Sequence, residues 1–207
     1  ILFLAEGATM AHFIRPLVLA SSLDPNQYDI YFYAPSRFHS YLRDKPFTVG
    51  ELKTMPGERF LANIAKGTPA FPVDVLRDYV KWDCVLIGSV GPDLVIGDMR
   101  PSLAVSARLE GATSAVLMNA YWSPYAKPRS IIPAVPLTRI VPPRLLGPLY
   151  RMTETLAFGL HVAPLNRVRK EFGFRPLPPD LRVMYTDADH VLYPDVPAFV
   201  PTSHPPR

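Results

Sequence analysis

Six short apolar runs rich in β-branched or aromatic residues punctuate the chain, and segments of helical period fill the gaps between them. The runs lie at residues 1–5 (ILFLA), 28–34 (YDIYFYA), 46–49, 93–97 (DLVIG), 113–118 (TSAVLM) and 189–193 (DHVLY). Their length and near-continuous apolarity suit strands covered on both faces. The clearest helical segments are 12–23, 36–43, 57–66, 72–88, 101–110 and 144–172, the last expected to break at Pro148 and Pro164. Strand, helix, strand, repeated, calls for a parallel sheet with right-handed crossovers. The predicted fold is therefore α/β: a three-layer, doubly wound, Rossmann-like domain with a mostly parallel sheet.

Composition narrows the choices further. With 207 residues, 48% of them hydrophobic, the chain can bury the core of one large domain. No apolar stretch reaches the roughly 18 residues of a spanning helix. The single cysteine, Cys84, excludes an internal disulfide and a cysteine-based zinc cluster, and it suits a cytoplasmic protein. The formal net charge of +4 is unevenly spread: ten Lys and Arg against three Asp and Glu lie between Lys127 and Arg182. This basic stretch is either a solvated face or a surface for an acidic substrate or anionic membrane. It lacks the aromatic and basic interleaving of a nucleic-acid reader, so no nucleic-acid partner is expected. The 25 prolines cluster in 124–148 and 176–206. The first cluster reads as a long loop after the strand at 113–118, the second as a chain leaving its domain. The expected division is an α/β domain over 1–195 and an exit linker over 196–207, leading to a further domain.

The loop behind the first strand, "AEGATMAHFIRPLVLA", fits neither of the usual phosphate cradles. A dinucleotide site needs G-x-G-x-x-G and an acidic residue ending the second strand. Here Gly7 stands alone and that strand ends in Tyr33-Ala34-Pro35. A Walker loop needs a lysine, and this loop has none. "IGSVG" also misses the G-x-S-x-G nucleophile elbow, because Gly88 directly precedes Ser89. What the loop does offer is Glu6, Thr9, Met10 and His12 at the handover from strand to helix.

In a doubly wound sheet, ligands bind where the strand order reverses, at the C-terminal ends of the two central strands. "PDLVIGD" is the expected neighbour of the first strand, which sets Asp98 opposite His12. A carboxylate on one imidazole nitrogen fixes the tautomer and frees the other nitrogen to take a proton from a substrate hydroxyl. The pair is either such a general-base dyad, with both residues catalytic, or two separate helix caps, His12 for the first helix and Asp98 for the one starting near Pro101.

The runs "EGATMAHFIRPLVLASSL", "PDLVIGDMRPSLAVSARLEGATSAVLMNAYWSPY" and "TDADHVLYPDVPAFVPT" resemble, across essentially the whole chain, the N-terminal half of a GT-B glycosyltransferase. The family in question includes macrolide and plant secondary-metabolite UDP-glycosyltransferases. The resemblance implies an acceptor-binding domain in which His12 is the general base and Asp98 orients it. It also implies inversion at the anomeric carbon, no metal and no resident cofactor. The nucleotide-sugar donor, a UDP- or TDP-sugar, would be held mainly by a C-terminal domain. Two departures stand out. The family has Gly-His with proline three residues on, whereas Ala11 precedes His12 and Pro16 follows four after it. The donor signatures, Trp-x-Pro-Gln and His-Cys-Gly, are absent.

For the acceptor, "NAYWSPYAKPR" places Tyr121, Trp122 and Tyr125 after the fifth strand. They form either an apolar wall for a hydrophobic or lipid aglycone or the packing of a proline-rich loop. Asn119 is a candidate for binding a hydroxyl. Arg100 is a further candidate substrate contact, pairing with Asp98 or Glu6 or reaching an acidic acceptor. The segment 144–174 is either a helix packed on the sheet or a second domain, or a peripheral membrane contact. Three functions remain open: the acceptor half of an inverting glycosyltransferase, a single-domain subunit needing a separate donor-binding partner, and a non-catalytic α/β binding module.

Overall fold

The computed structural model describes residues 1–126 and 143–202, and side chains within these except over 143–153. Six strands form one sheet: β1 (Leu2–Ala5), β2 (Tyr31–Ala34), β3 (Thr48–Glu51), β4 (Leu94–Asp98), β5 (Thr113–Leu117) and β6 (His190–Leu192). Their order is β3-β2-β1-β4-β5-β6, and every neighbouring pair is parallel. The chain runs outward from β1 to β3, then crosses back to lay β4 against the free side of β1. That reversal puts the switch point between β1 and β4, with Ala5 in register with Asp98.

Among the described residues six α-helices accompany the sheet: α1 (Ala11–Ser21), α2 (Gly57–Ala65), α3 (Val73–Val90), α4 (Leu103–Leu109), α5 (Pro143–Glu171) and α6 (Leu181–Tyr185). The period of two along each strand assigns residues to layers. Phe3, Ala5, Phe32, Ile96, Ala115 and Leu117 pack with Phe13 and Ala20 of α1. Leu2, Leu4 and Val95 face the other way, onto Leu86 and Ile87 of α3 and Leu103 and Ala107 of α4. A third cluster joins α2, α3, α5 and α6 through Phe60, Tyr79, Leu165 and Met184. The three-layer, doubly wound α/β architecture follows.

Several local expectations are corrected. The segment 36–43 is a 3₁₀ turn, Ser36–Leu42, rather than an α-helix. The third strand lies at Thr48–Glu51 rather than 46–49, and Thr48, Val49 and Glu51 are exposed. Its register comes from pairing with β2, not from an apolar face of its own. Helix α5 runs unbroken through Pro148 and Pro164. Val162, Leu165 and Val168 are fully buried in the cluster shared with α3, and that burial outweighs the hydrogen bond a proline forfeits. The middle of the proline-rich loop (127–142) and the last residues of the expected linker (203–207, with His204) lie outside the described residues. Near them, Ala126 pairs with Thr202 in an antiparallel bridge, and the Asp195 carboxylate accepts from the Ala120 N–H.

Candidate active site

The turn from β1 into α1 is tightly enclosed. A Cβ on Gly7 would stand 2.5 Å from Thr54 Oγ1 and 2.7 Å from Pro35 Cγ, so only glycine lets these segments close over the loop. Met10 occupies the N-cap without a side-chain cap, its carbonyl accepting from the Phe13 and Ile14 N–H groups. Phe13, Pro16 and Ala20 form the buried stripe of α1. His12 and Arg15, three residues apart, share the flank beside that stripe. Pro16 has no N–H to offer the carbonyl four residues earlier, which is that of His12.

Opposite this flank stands Asp98, the last residue of β4 and wholly buried. The alternation that points Ile96 at α1 points Asp98 there too, and Asn119, two past Leu117, follows the same parity. His12 Nδ1 lies 2.8 Å from Asp98 Oδ1. Arg15 grips the same carboxylate side-on, donating from Nε to Oδ2 at 2.8 Å and from Nη2 to Oδ1 at 2.6 Å. Its Nη1 donates to Asn119 Oδ1 at 2.5 Å, and Nη2 stands 3.0 Å from His12 Nδ1. The imidazole keeps 14% of its surface exposed, so the group facing solvent is the one a ligand would meet. A guanidinium only donates, which fixes the Asn119 amide with its oxygen inward and its NH₂ free for other contacts.

Arg15 escaped the reading of the sequence. Its signal is the three-residue step from His12, which puts both side chains on one helix face, but a single arginine on a helix is ordinary.

Glu6 and Arg100, both candidate substrate contacts, pair with each other, which is one of the pairings expected for Arg100. Arg100 Nη1 donates to Glu6 Oε2 at 2.9 Å, and its Nε and Nη2 lie 2.9 and 2.7 Å from Asp83 Oδ1. Tyr79 donates to Glu6 at 3.3 Å and the Gly7 N–H at 2.9 Å, while Ser102 donates to Asp83. The side chains of Glu6 and Arg100 have no exposed surface, so neither offers an atom to a ligand. Arg100 does not reach Asp98: Met99, with φ +54°, turns the chain at the end of β4. Burial pushes the Glu6 carboxyl up to about 7, against the pull of Arg100 and the Gly7 N–H.

The remaining predicted contacts are dispersed. Thr9 is half-buried, while Met10, Tyr121 and Tyr125 are exposed. Trp122 packs inward, its ring centroid 5.6 Å from Tyr185 and 6.5 Å from Phe158. Two small adjoining clefts share Pro101, Met184 and Tyr185, and neither is lined by His12 or Asp98. Among the described residues no group of three or more His, Cys, Asp or Glu could hold a metal ion, and no helix is long and apolar enough to cross a membrane.

No protein-family profile matches the sequence. Curated proteins do match it throughout. A PGL/p-HBAD biosynthesis rhamnosyltransferase of Mycobacterium bovis is 44% identical over 98% of this chain and 45% of its own length. A PGL/p-HBAD biosynthesis glycosyltransferase of Mycobacterium tuberculosis is 44% identical over 98% of this chain and 47% of its own. A third relative, from Mycobacterium bovis and also 44% identical, is an inactive PGL/p-HBAD biosynthesis glycosyltransferase, of which the chain covers 55%. The chain thus spans about half the length of the curated relatives it matches.

Proposed function

We propose that the chain is the acceptor-binding half of an inverting, GT-B glycosyltransferase of the cytoplasm, with His12 as general base and Asp98 as its orienting partner. The observation that carries this reading is the 2.8 Å contact between His12 Nδ1 and the buried Asp98 at the switch point of the sheet. The similarity of the whole chain to glycosyltransferases supports it. With Nδ1 turned to the carboxylate, Nε2 takes the proton of an acceptor hydroxyl. The acceptor oxygen then bonds to the anomeric carbon as the bond to the diphosphate breaks on the opposite face, which inverts configuration. The donor, a nucleotide-sugar, is bound mainly by residues outside this chain. One relative's rhamnosyl transfer makes nucleotide-activated rhamnose the first donor to try, and the exposed rings of Tyr121 and Tyr125 favour a hydrophobic aglycone.

Because identity is the same to an active and to an inactive relative, the test rests on the site. In the full-length gene product, His12→Ala is expected to lower sugar transfer from a panel of UDP- and TDP-sugars by about 10²–10⁴-fold with an unchanged circular dichroism spectrum. Unchanged transfer would remove His12 from the chemistry and leave a non-catalytic role for the pair.

A further inference from the structure

We propose that Arg15 is a positioning residue that sets the protonation pattern of the His12–Asp98 pair, a role that rests on the reading of His12 as the base. Asp98 is fully buried and receives two hydrogen bonds from the Arg15 guanidinium, one on each oxygen. A guanidinium cannot accept, so both oxygens face donors and the carboxyl is held as a carboxylate. His12 Nδ1, 2.8 Å from Oδ1, faces an atom that can only accept. A bare lone pair there would oppose the carboxylate's own, so Nδ1 carries the proton. The 3.0 Å approach of Arg15 Nη2 to Nδ1 is then two donors converging on one oxygen rather than a bond between them. The imidazole's remaining nitrogen, Nε2, is left with its lone pair, the state a base requires.

Arg15 and Asp98 sum to zero while His12 is neutral, so proton uptake makes the group of three net positive. Without Arg15 the neutral imidazole would sit beside an unbalanced buried carboxylate, and the pair would take up a proton at higher pH. Other charged groups near α1 are engaged elsewhere. Glu6, at the end of β1, is tied to Arg100 on the far side of the sheet. Arg37, after β2, donates to the Gly7 carbonyl and lies over the Phe38 ring. Beyond β5, Asn119 contributes no charge and clamps Arg15 from behind.

The test is ¹⁵N-histidine NMR of the full-length protein, with the His12 signals assigned by their loss in His12→Asn. Long-range proton–nitrogen correlations report both the tautomer and the titration midpoint of each ring. In the wild type, neutral His12 is expected with its proton on Nδ1. In Arg15→Gln the midpoint should rise by about one pH unit, and the acid limb of sugar transfer should rise with it. Arg15→Lys should return at least half of that shift. A proton on Nε2 in the wild type, which needs no variant to fold, overturns the proposal, as does an unmoved or lowered midpoint in a folded Arg15→Gln. The two readings fail separately: transfer that survives His12→Ala sinks the base, whereas an unmoved midpoint with transfer still lost in His12→Ala sinks only the role of Arg15.

Discussion

Asp98 sits where three constraints meet: the end of a central strand, the face turned to α1, and full burial against a guanidinium and an imidazole. An isosteric amide there keeps the shape and loses the charge. In Asp98→Asn, Arg15 loses its ionic partner, and the amide, able to donate as well as accept, no longer dictates which ring nitrogen of His12 carries the proton. Transfer by the full-length protein is expected to fall by about 10³–10⁴-fold, with a smaller change in acceptor KM, which steady-state kinetics against wild type would show. A raised acceptor KM with kcat intact would instead place Asp98 in acceptor binding. His12 and Asp98 could be read from the sequence because a strand's last residue and the loop after β1 are positions the fold itself singles out. Arg15 could not, since nothing in a helical pattern announces which polar flank residue will meet a strand end more than eighty positions away.

Among the elements, α5 shows where sequence rules yield to packing. Two prolines predict two breaks, yet the helix spans Pro143–Glu171 without interruption. Around Pro164 the apolar residues Val162, Leu165 and Val168 are each wholly buried, and Asn166 ties the helix to the chain beyond it by accepting the Leu177 N–H and donating to the Leu177 carbonyl. If tertiary burial holds the helix unbroken, emptying that seam should cost a full core substitution: Leu165→Ala is expected to destabilise by about 2–5 kcal/mol in urea unfolding. A loss under about 1 kcal/mol would mean the seam is not what sustains the helix. The end of α3 obeys its sequence instead. Gly91 follows the helix at φ +59° with open space around it, so its cost on substitution is purely conformational. Gly91→Ala should cost about 1 kcal/mol, measurable in the same unfolding series.

At the scale of the whole molecule, the alternation of strands and helices was enough to give a parallel, doubly wound sheet and to locate its switch point, because both follow from handedness and burial rather than from particular contacts. The charged core beneath that switch point was legible only as one of the pairings open to Arg100, that with Glu6, and its second carboxylate, Asp83, was not. Glu6 lies 94 positions from Arg100, and Asp83 is a helix residue indistinguishable in sequence from its exposed neighbours. Two buried carboxylates there share one buried guanidinium, and burial pushes Glu6 from an ordinary value of 4.5 to about 7. The sign of its effect on stability follows. Below about pH 4.5 the folded and unfolded chains both hold the Glu6 proton. Between pH 4.5 and 7 only the folded chain holds it, so raising the pH removes stability. Above about pH 7 both states have released it and the loss, on the order of 3 kcal/mol, is complete. Other groups add their own pH dependence, so the measurement is a difference: urea unfolding of wild type and Glu6→Gln at pH 5 and pH 8. The glutamine keeps the shape of the protonated acid and cannot ionise. Wild type is therefore expected to lose more stability than the variant between the two pH values, while equal losses would mean that Glu6 is a carboxylate throughout, held by Arg100 and the Gly7 N–H.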